Sequence, residues 1–275
     1  MATIELHLYR VKFIKPAQTK LFYQNFSPRD IFEKALEEKP SVGLRRNHAW
    51  HLGNVDYFDA DGGRFAVGRT TKTTVEKFDI DTGDFIEELD DSGPYTYVYF
   101  DAQYGLLAIA KKAKVAPSVR SIARKIQALF SKSEIVQNGG VEVRVDIIPD
   151  PDGFLKKIRT AYAIKRFTAE FTGPNPIDAD ELFQKPMSFY CQTLEATNGV
   201  VAVRGEHLNE EAVASVAKST AATGNNASAL IQPSKGSRLL SISFEGNATK
   251  ILVDSEAHMS DVLQKVRENY FSVRK

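Results

Sequence analysis

The chain has 275 residues, 43% apolar and 26% charged, ordinary values for a packed protein that exclude wholesale disorder. Its 36 Lys and Arg face 35 Asp and Glu, leaving a formal charge of +1. That balance excludes a protein built throughout as a polycation, so attraction to nucleic acid or an anionic membrane must come from a local patch.

Ile4 to Ile14 reads as the first strand. Ile4, Leu6 and Leu8 share one face and the apolar positions then pass to Val11 and Phe13, the mark of a bulge or of burial on both faces. The same stretch lacks the basic start and unbroken apolar segment of a secretory signal. A helix follows: Ser27 caps it, Pro28 suits its first position, Asp30 completes a capping box, and Ile31, Phe32, Ala35 and Leu36 form its stripe until Pro40. From Ala49 to Phe100 the pattern is a β-meander, with turn chemistry at Asp61-Gly62-Gly63, Asp81-Thr82-Gly83-Asp84 and Asp91-Ser92-Gly93-Pro94. A short strand at Leu106 to Ala110 is the longest apolar run, far below the ~18 residues that suggest a membrane span. The next helix is capped by Ser118 and carries Val119, Ile122, Ala123, Ile126, Leu129 and Phe130 on one continuous face. Gly139-Gly140 then breaks the chain.

In the second half Val141, Val143, Val145 and Ile147 alternate with Glu142, Arg144 and Asp146, a strand with one buried face. Asp152 caps a helix through Phe154, Leu155, Ile158 and Tyr162; Phe167, Ala169 and Phe171 form the next strand, closed by Gly173-Pro174-Asn175-Pro176. Asp180 to Thr193 is helical in part, a strand spans Gly199 to Arg204, and Asn209 caps a helix that Gly224 stops. Strands at Ala227 to Gln232, Leu239 to Phe244 and Lys250 to Val253 precede a final helix bearing Met259, Val262, Leu263, Val266 and Tyr270. The expected class is α+β: antiparallel sheets with helices on one face, an N-terminal domain over 1–138 and a ferredoxin-like, split β-α-β domain over 139–275. No fixed-period repeat relates the halves.

The single cysteine, Cys191, cannot form an intrachain disulfide, and with no membrane segment in view a cytoplasmic location is expected. Cys191 sits among aromatics and reads as a small buried hydrophobe. No Gly-x-Gly-x-x-Gly, P-loop or Gly-x-Ser-x-Gly pattern occurs, so no cofactor is expected. His48 and His51 lack the further ligands of a zinc site and read as a structural pair. A calcium loop starting at Asp79 would need Gly and Glu where Asp84 and Asp90 stand, and one starting at Asp59 fits worse, so both acidic stretches read as turns. Asp150 or Asp152 with Glu170 suggests a nuclease pair, but Glu170-Phe171-Thr172 lacks the lysine. His7, Tyr9 and His207 remain as acid–base groups for metal-free RNA cleavage.

The positive signal is charge placement. Lys111, Lys112 and Lys114 precede the helix that carries Arg120, Arg124 and Lys125, with no acid between Lys111 and Lys125. Arg120 and Arg124 lie one turn apart and project together, so they oppose each other slightly unless an anion sits between them. Arg45-Arg46 is a second, smaller basic pair. The competing reading is a solubilising helix face.

The stretch from Ile147-Ile148-Pro149 through Phe154-Leu155 to Phe167-Thr168-Ala169-Glu170-Phe171-Thr172-Gly173-Pro174-Asn175-Pro176 resembles an uncharacterised group of bacterial proteins, some encoded near phage-defence or mobile-element genes. The resemblance implies a defence context and transfers no catalytic residue. The expectation is a non-enzymatic protein that binds RNA, DNA or a partner protein from the same operon through Lys111, Lys112, Lys114, Arg120, Arg124 and Lys125. A metal-independent ribonuclease and an assembly subunit recruiting a catalytic neighbour stand as alternatives, with self-association open.

Overall fold

The computed structural model describes residues 2–15, 26–43, 48–172 and 180–274, with the backbone alone at 71–75, 88–91 and 192. The chain opens with β1 (Thr3–Ile14) and α1 (Pro28–Glu37). The expected capping box forms: Asp30 N donates to Ser27 Oγ at 3.1 Å, and Ser27 N donates to Asp30 Oδ2 at 2.7 Å. A meander follows through β2 (Ser41–Gly43), β3 (Ala49–Tyr57), β4 (Gly62–Phe78), β5 (Phe85–Ser92), β6 (Tyr95–Asp101) and β7 (Leu106–Ala110), turning at the acidic and glycine-rich segments. Helices α2 (Val119–Phe130) and α3 (Glu134–Gly139) lead to β8 (Glu142–Ile147). Then come α4 (Asp152–Thr160), β9 (Ala163–Thr172), α5 (Gln184–Thr193), β10 (Asn198–Arg204) and α6 (Glu210–Ala222). The strands β11 (Ala227–Gln232), β12 (Leu240–Ser243) and β13 (Lys250–Asp254) precede α7 (Met259–Arg274).

The strands form two antiparallel sheets, so the fold is mixed α+β. The larger has the order β13-β1-β7-β6-β4-β3-β2, with β5 on β4 and β8 on β1; the smaller runs β10-β9-β11-β12. β1 holds the larger sheet together. Its first residues pair with β13 (Thr3↔Asp254 to His7↔Lys250), its centre with β7 and its last six with β8 (Tyr9↔Ile147 to Ile14↔Glu142). Strands from both sides of residue 139 therefore share one sheet.

Several expectations are corrected. Helices cover both faces of the larger sheet, not one. Leu6 and Leu8 pack in a core with Phe154 of α4, Ala217 of α6 and Val266 of α7. Tyr9, Val11 and Phe13 pack in another with Phe32 of α1 and Ile122 and Phe130 of α2. Alternate residues of β1 are thus apolar on both sides, and burial on both faces explains the pattern without a bulge. Nor do β8 and β9 flank α4 within one sheet, as a split β-α-β unit requires: β8 pairs with β1, and β9 pairs with β10 and β11. At α4 itself, Pro151 occupies the cap, Asp152 is the first helical residue, and Asp152 N donates to Asp150 Oδ1 at 3.0 Å. Tyr162 lies beyond that helix and is exposed. The Gly173-Pro174-Asn175-Pro176 turn lies outside the described residues.

Candidate anion-binding cleft

The apolar periodicity of α2 dictates where its cations go. All six residues of the expected stripe are buried, so Arg120 and Arg124, at i and i+4, are turned outward and both are exposed. Among the described residues neither has a carboxylate within ion-pair distance. They open on a cleft of about 390 Å³ where α2, β8, the end of β9 and the loop after α6 meet. Such a volume falls in the range of small-ligand sites, ~300–1,000 Å³.

β8 runs through the cleft with its residues alternating between the two sides. Val145 and Ile147 join Tyr9, Ala123 and Gln127, and Gln127 Oε1 accepts the Val145 N–H at 3.1 Å. Arg144 and Asp146 stand opposite Lys12 and Arg10 of β1. Asp146 is already engaged: Lys12 Nζ lies 3.0 Å from its Oδ2, and Arg144 Nη2 lies 3.5 Å from its Oδ1. The far wall holds Glu170 of β9, the loop Gly224-Asn225-Asn226, and Phe244. The lining therefore carries three guanidiniums against two carboxylates, with an ammonium behind one of them.

Below the cleft lies a buried polar network. Lys12 Nζ also donates to Asn225 Oδ1 at 3.0 Å, Thr172 Oγ1 donates to the same oxygen at 3.2 Å, and Asn225 Nδ2 donates to Thr223 Oγ1 at 3.0 Å. The Lys12 side chain is 5% exposed, and burial pushes its pKa down to about 8 although Asp146 favours the charged form. Burial likewise pushes the Tyr9 phenol up to about 12, against the pull of the nearby Arg120 charge. At the far wall, the Asn226 N–H donates to Glu170 Oε2 at 3.2 Å, and the Glu170 N–H donates to Asn226 O at 2.9 Å.

Of the six basic residues picked out in sequence, the structure brings Arg120 and Arg124 to the cleft and leaves four outside its lining. Lys111 Nζ is 3.5 Å from Glu5 Oε1, and Lys112 Nζ sits 5.0 Å from the centre of the Tyr95 ring. Lys114 is exposed and Lys125 half-buried. Arg45-Arg46 lies outside the described residues. The acid–base trio does not converge in the cleft: Tyr9 lines it, while His7 Nε2 is 2.6 Å from Glu5 Oε1 and the His207 ring packs on Tyr162. His51 Nδ1 lies 2.8 Å from Ser41 Oγ on the neighbouring strand, and His48 faces the Thr70 carbonyl. Among the described residues no group of three or more His, Cys, Asp or Glu is placed to hold a metal. Cys191 is buried, which raises its thiol pKa.

Arg144 is the residue that sequence reasoning passed over, since alternation alone marks it as an ordinary polar position. The available signal was Arg10 and Lys12, two cations inside an otherwise apolar strand, which demand polar partners across the sheet.

Fold and cleft together define a mixed α+β protein with an arginine-lined cleft between two antiparallel sheets. Residues 16–188, more than half of the chain, match the family described as a domain of unknown function, DUF4747, and the chain belongs to that family. The matched span includes Arg120, Arg124, Arg144 and Glu170. No curated protein matches the chain. Among the described residues no helix is long and apolar enough to cross a membrane.

Proposed function

We propose that the protein binds single-stranded nucleic acid in this cleft, as a non-enzymatic component of bacterial phage defence. The observation that carries the reading is the pair Arg120 and Arg124, one helical turn apart, exposed, unmatched by a carboxylate among the described residues, and facing the same cleft as Arg144. Neighbouring like charges at that spacing cost a few tenths of a kcal/mol, about 0.2–0.5. A phosphate between them converts the repulsion into attraction, and planar guanidiniums suit its oxygens. The size of the cleft favours a nucleotide-sized unit of an unpaired strand over a duplex laid across it. The defence setting rests on the resemblance of the stretch from Ile147 to Pro176.

Fluorescence anisotropy with short labelled RNA and DNA strands, titrated with salt, tests the reading. Three guanidiniums on phosphates give a log–log salt slope of roughly −2, at about −0.7 per phosphate on a single strand. Arg120→Glu with Arg124→Glu should abolish tight binding and flatten that slope. Unchanged affinity and slope in the double variant would remove the nucleic-acid reading. Shortened RNA products appearing with and without EDTA would favour the ribonuclease alternative.

A further inference from the structure

The cleft has two chemically different walls. One, on α2, presents the guanidiniums of Arg120 and Arg124; the other presents Glu170 and Asn226, with Arg144 on the sheet face that carries the Asn225 loop. Glu170 is exposed at the end of a strand that is otherwise mostly buried. One of its oxygens, Oε2, takes the Asn226 N–H at 3.2 Å, which fixes the carboxylate. Among the described residues Oε1 accepts no hydrogen bond and no cation pairs with the group. The Asn226 carboxamide is exposed and likewise makes no hydrogen bond among the described residues. A carboxylate positioned this way, across a cleft whose other side attracts phosphate, is an acceptor awaiting donors.

We infer that, on the reading that the cleft takes an unpaired strand, its far wall selects guanine. A carboxylate accepts two parallel N–H bonds. Guanine is the base whose pairing edge offers two adjacent donors, its ring N1–H and its exocyclic amine. Adenine and cytosine each place one amine next to an acceptor nitrogen, and uracil places its single N–H between two carbonyls. Those acceptors repel Glu170, whereas guanine meets both of its oxygens, and Asn226 has a donor and an acceptor left for the remaining edge. Because the pairing edge is consumed, the site excludes a base-paired guanine and requires a single strand.

The test compares labelled oligouridines carrying one central guanosine, adenosine, cytidine or uridine in anisotropy titrations at fixed salt. The guanosine strand should bind about tenfold tighter, the lower-middle of the roughly 1–3 kcal/mol that a bidentate base contact supplies. Glu170→Gln should erase the preference while leaving the salt slope of the residual binding unchanged, since the arginine wall is intact. Asn226→Ala, a change at an exposed side chain, serves as a second variant and should reduce the preference severalfold. Equal affinity for all four strands in the wild type, or a preference that survives both variants, would overturn the guanine inference and leave phosphate binding standing. No salt-dependent binding to any strand would overturn the reading beneath it.

Discussion

Arg267 on α7 clamps the C-terminal helix to the first half of the chain, and Arg267→Ala should be strongly destabilising. Its Nε donates to Asp101 Oδ2 at 2.6 Å, and its two terminal nitrogens reach Asp59 at 2.6 and 3.1 Å. The two carboxylates differ in environment. Asp101 is 1% exposed and its pKa is raised by burial against the pull of Arg267; Asp59 is 44% exposed and held at about 2, chiefly by Arg267. Removing the arginine strands a buried charge at Asp101, whose other hydrogen bond comes from the Tyr104 N–H at 3.1 Å. The expected loss is about 3–5 kcal/mol. Asp59→Asn removes a half-exposed partner that water screens, and should cost about 1 kcal/mol or less. The pH dependence has opposite signs at the two sites. Asp59 lies below its ordinary 3.8, so its contribution is full above pH 4 and is lost as pH falls through 2. Asp101 lies above its ordinary value, so the folded state takes up its proton first and acidification through that window favours folding. The deficit of Arg267→Ala should therefore shrink between pH 7 and pH 4, as Asp101 becomes neutral. Urea unfolding followed by circular dichroism at both values measures it. A deficit under about 1 kcal/mol at pH 7, below the range for a broken buried pair, or one that does not change with pH, would refute the reasoning.

Gly63→Ala should cost about 2–3 kcal/mol, because the added carbon would stand 2.0 Å from the Asp56 carbonyl oxygen and 2.8 Å from Tyr57 Cα, backbone atoms that cannot move aside. Gly53→Ala meets nothing within 4 Å and should stay within about 0.5 kcal/mol of the parent; parallel thermal melts distinguish the two. Lys12 titrates near 8 in the folded chain instead of its ordinary 10.5, so the unfolded chain binds its proton more tightly and stability should rise with pH above 8. Relative to Lys12→Met, the wild type should gain about 2 kcal/mol between pH 7.5 and 9.5 in urea titrations, at 1.36 kcal/mol per unit beyond the folded pKa. An unchanged difference would show that Lys12 is not desolvated as described. Cys191 should resist a thiol-specific reagent in the native protein and react fully once urea is added, its burial and raised pKa acting together; rapid native labelling would contradict that placement.

Local structure was legible where one pattern had one solution. The six apolar residues of α2 recur at helical spacing over three turns, and the helix buries those six. Ser27 and Asp30 need only each other and the backbone to form their box, and Asn209 caps α6 in the same local way, its Oδ1 accepting the Ala212 N–H at 2.8 Å. Pairing across the chain was not legible, because alternation tells which face a residue occupies and not what lies opposite. β8 and β9 are neighbours in sequence around α4, yet β8 pairs with the last six residues of β1 and β9 with β10 and β11. The cleft inherits that difficulty. Arg120 and Arg124 could be placed on an outer helix face from spacing alone; that Arg144, Glu170 and Asn226 stand across from them depends on three separate long-range pairings.

The even positions of β1 explain why the cleft sits where it does. Leu6 and Leu8 bury into the core beneath the larger sheet, and the next two residues on that face, Arg10 and Lys12, are buried cations. A buried cation needs acceptors, and both reach the end of α6 or the loop that follows it. Arg10 donates to the Ala222 carbonyl through Nε at 3.2 Å and Nη2 at 2.7 Å, and to the Tyr270 hydroxyl at 2.5 Å. Lys12 takes Asn225. Between these anchors the chain turns at Gly224, whose φ of +69° suits glycine, and a Cβ there would stand 3.2 Å from Arg10 Cβ and 3.3 Å from both Asp146 Cβ and the Ile147 oxygen. The loop is thus pressed against β1 and β8 at its one residue without a side chain. Arg144 of β8 and Asn226 of that loop are thus both held to β1 on the same face of the sheet. The spacing between Arg144 and Asn226 is then set by the register of β1 and by the packing of the Gly224 loop against it, and sites borne on such rigid elements hold their geometry before a ligand arrives.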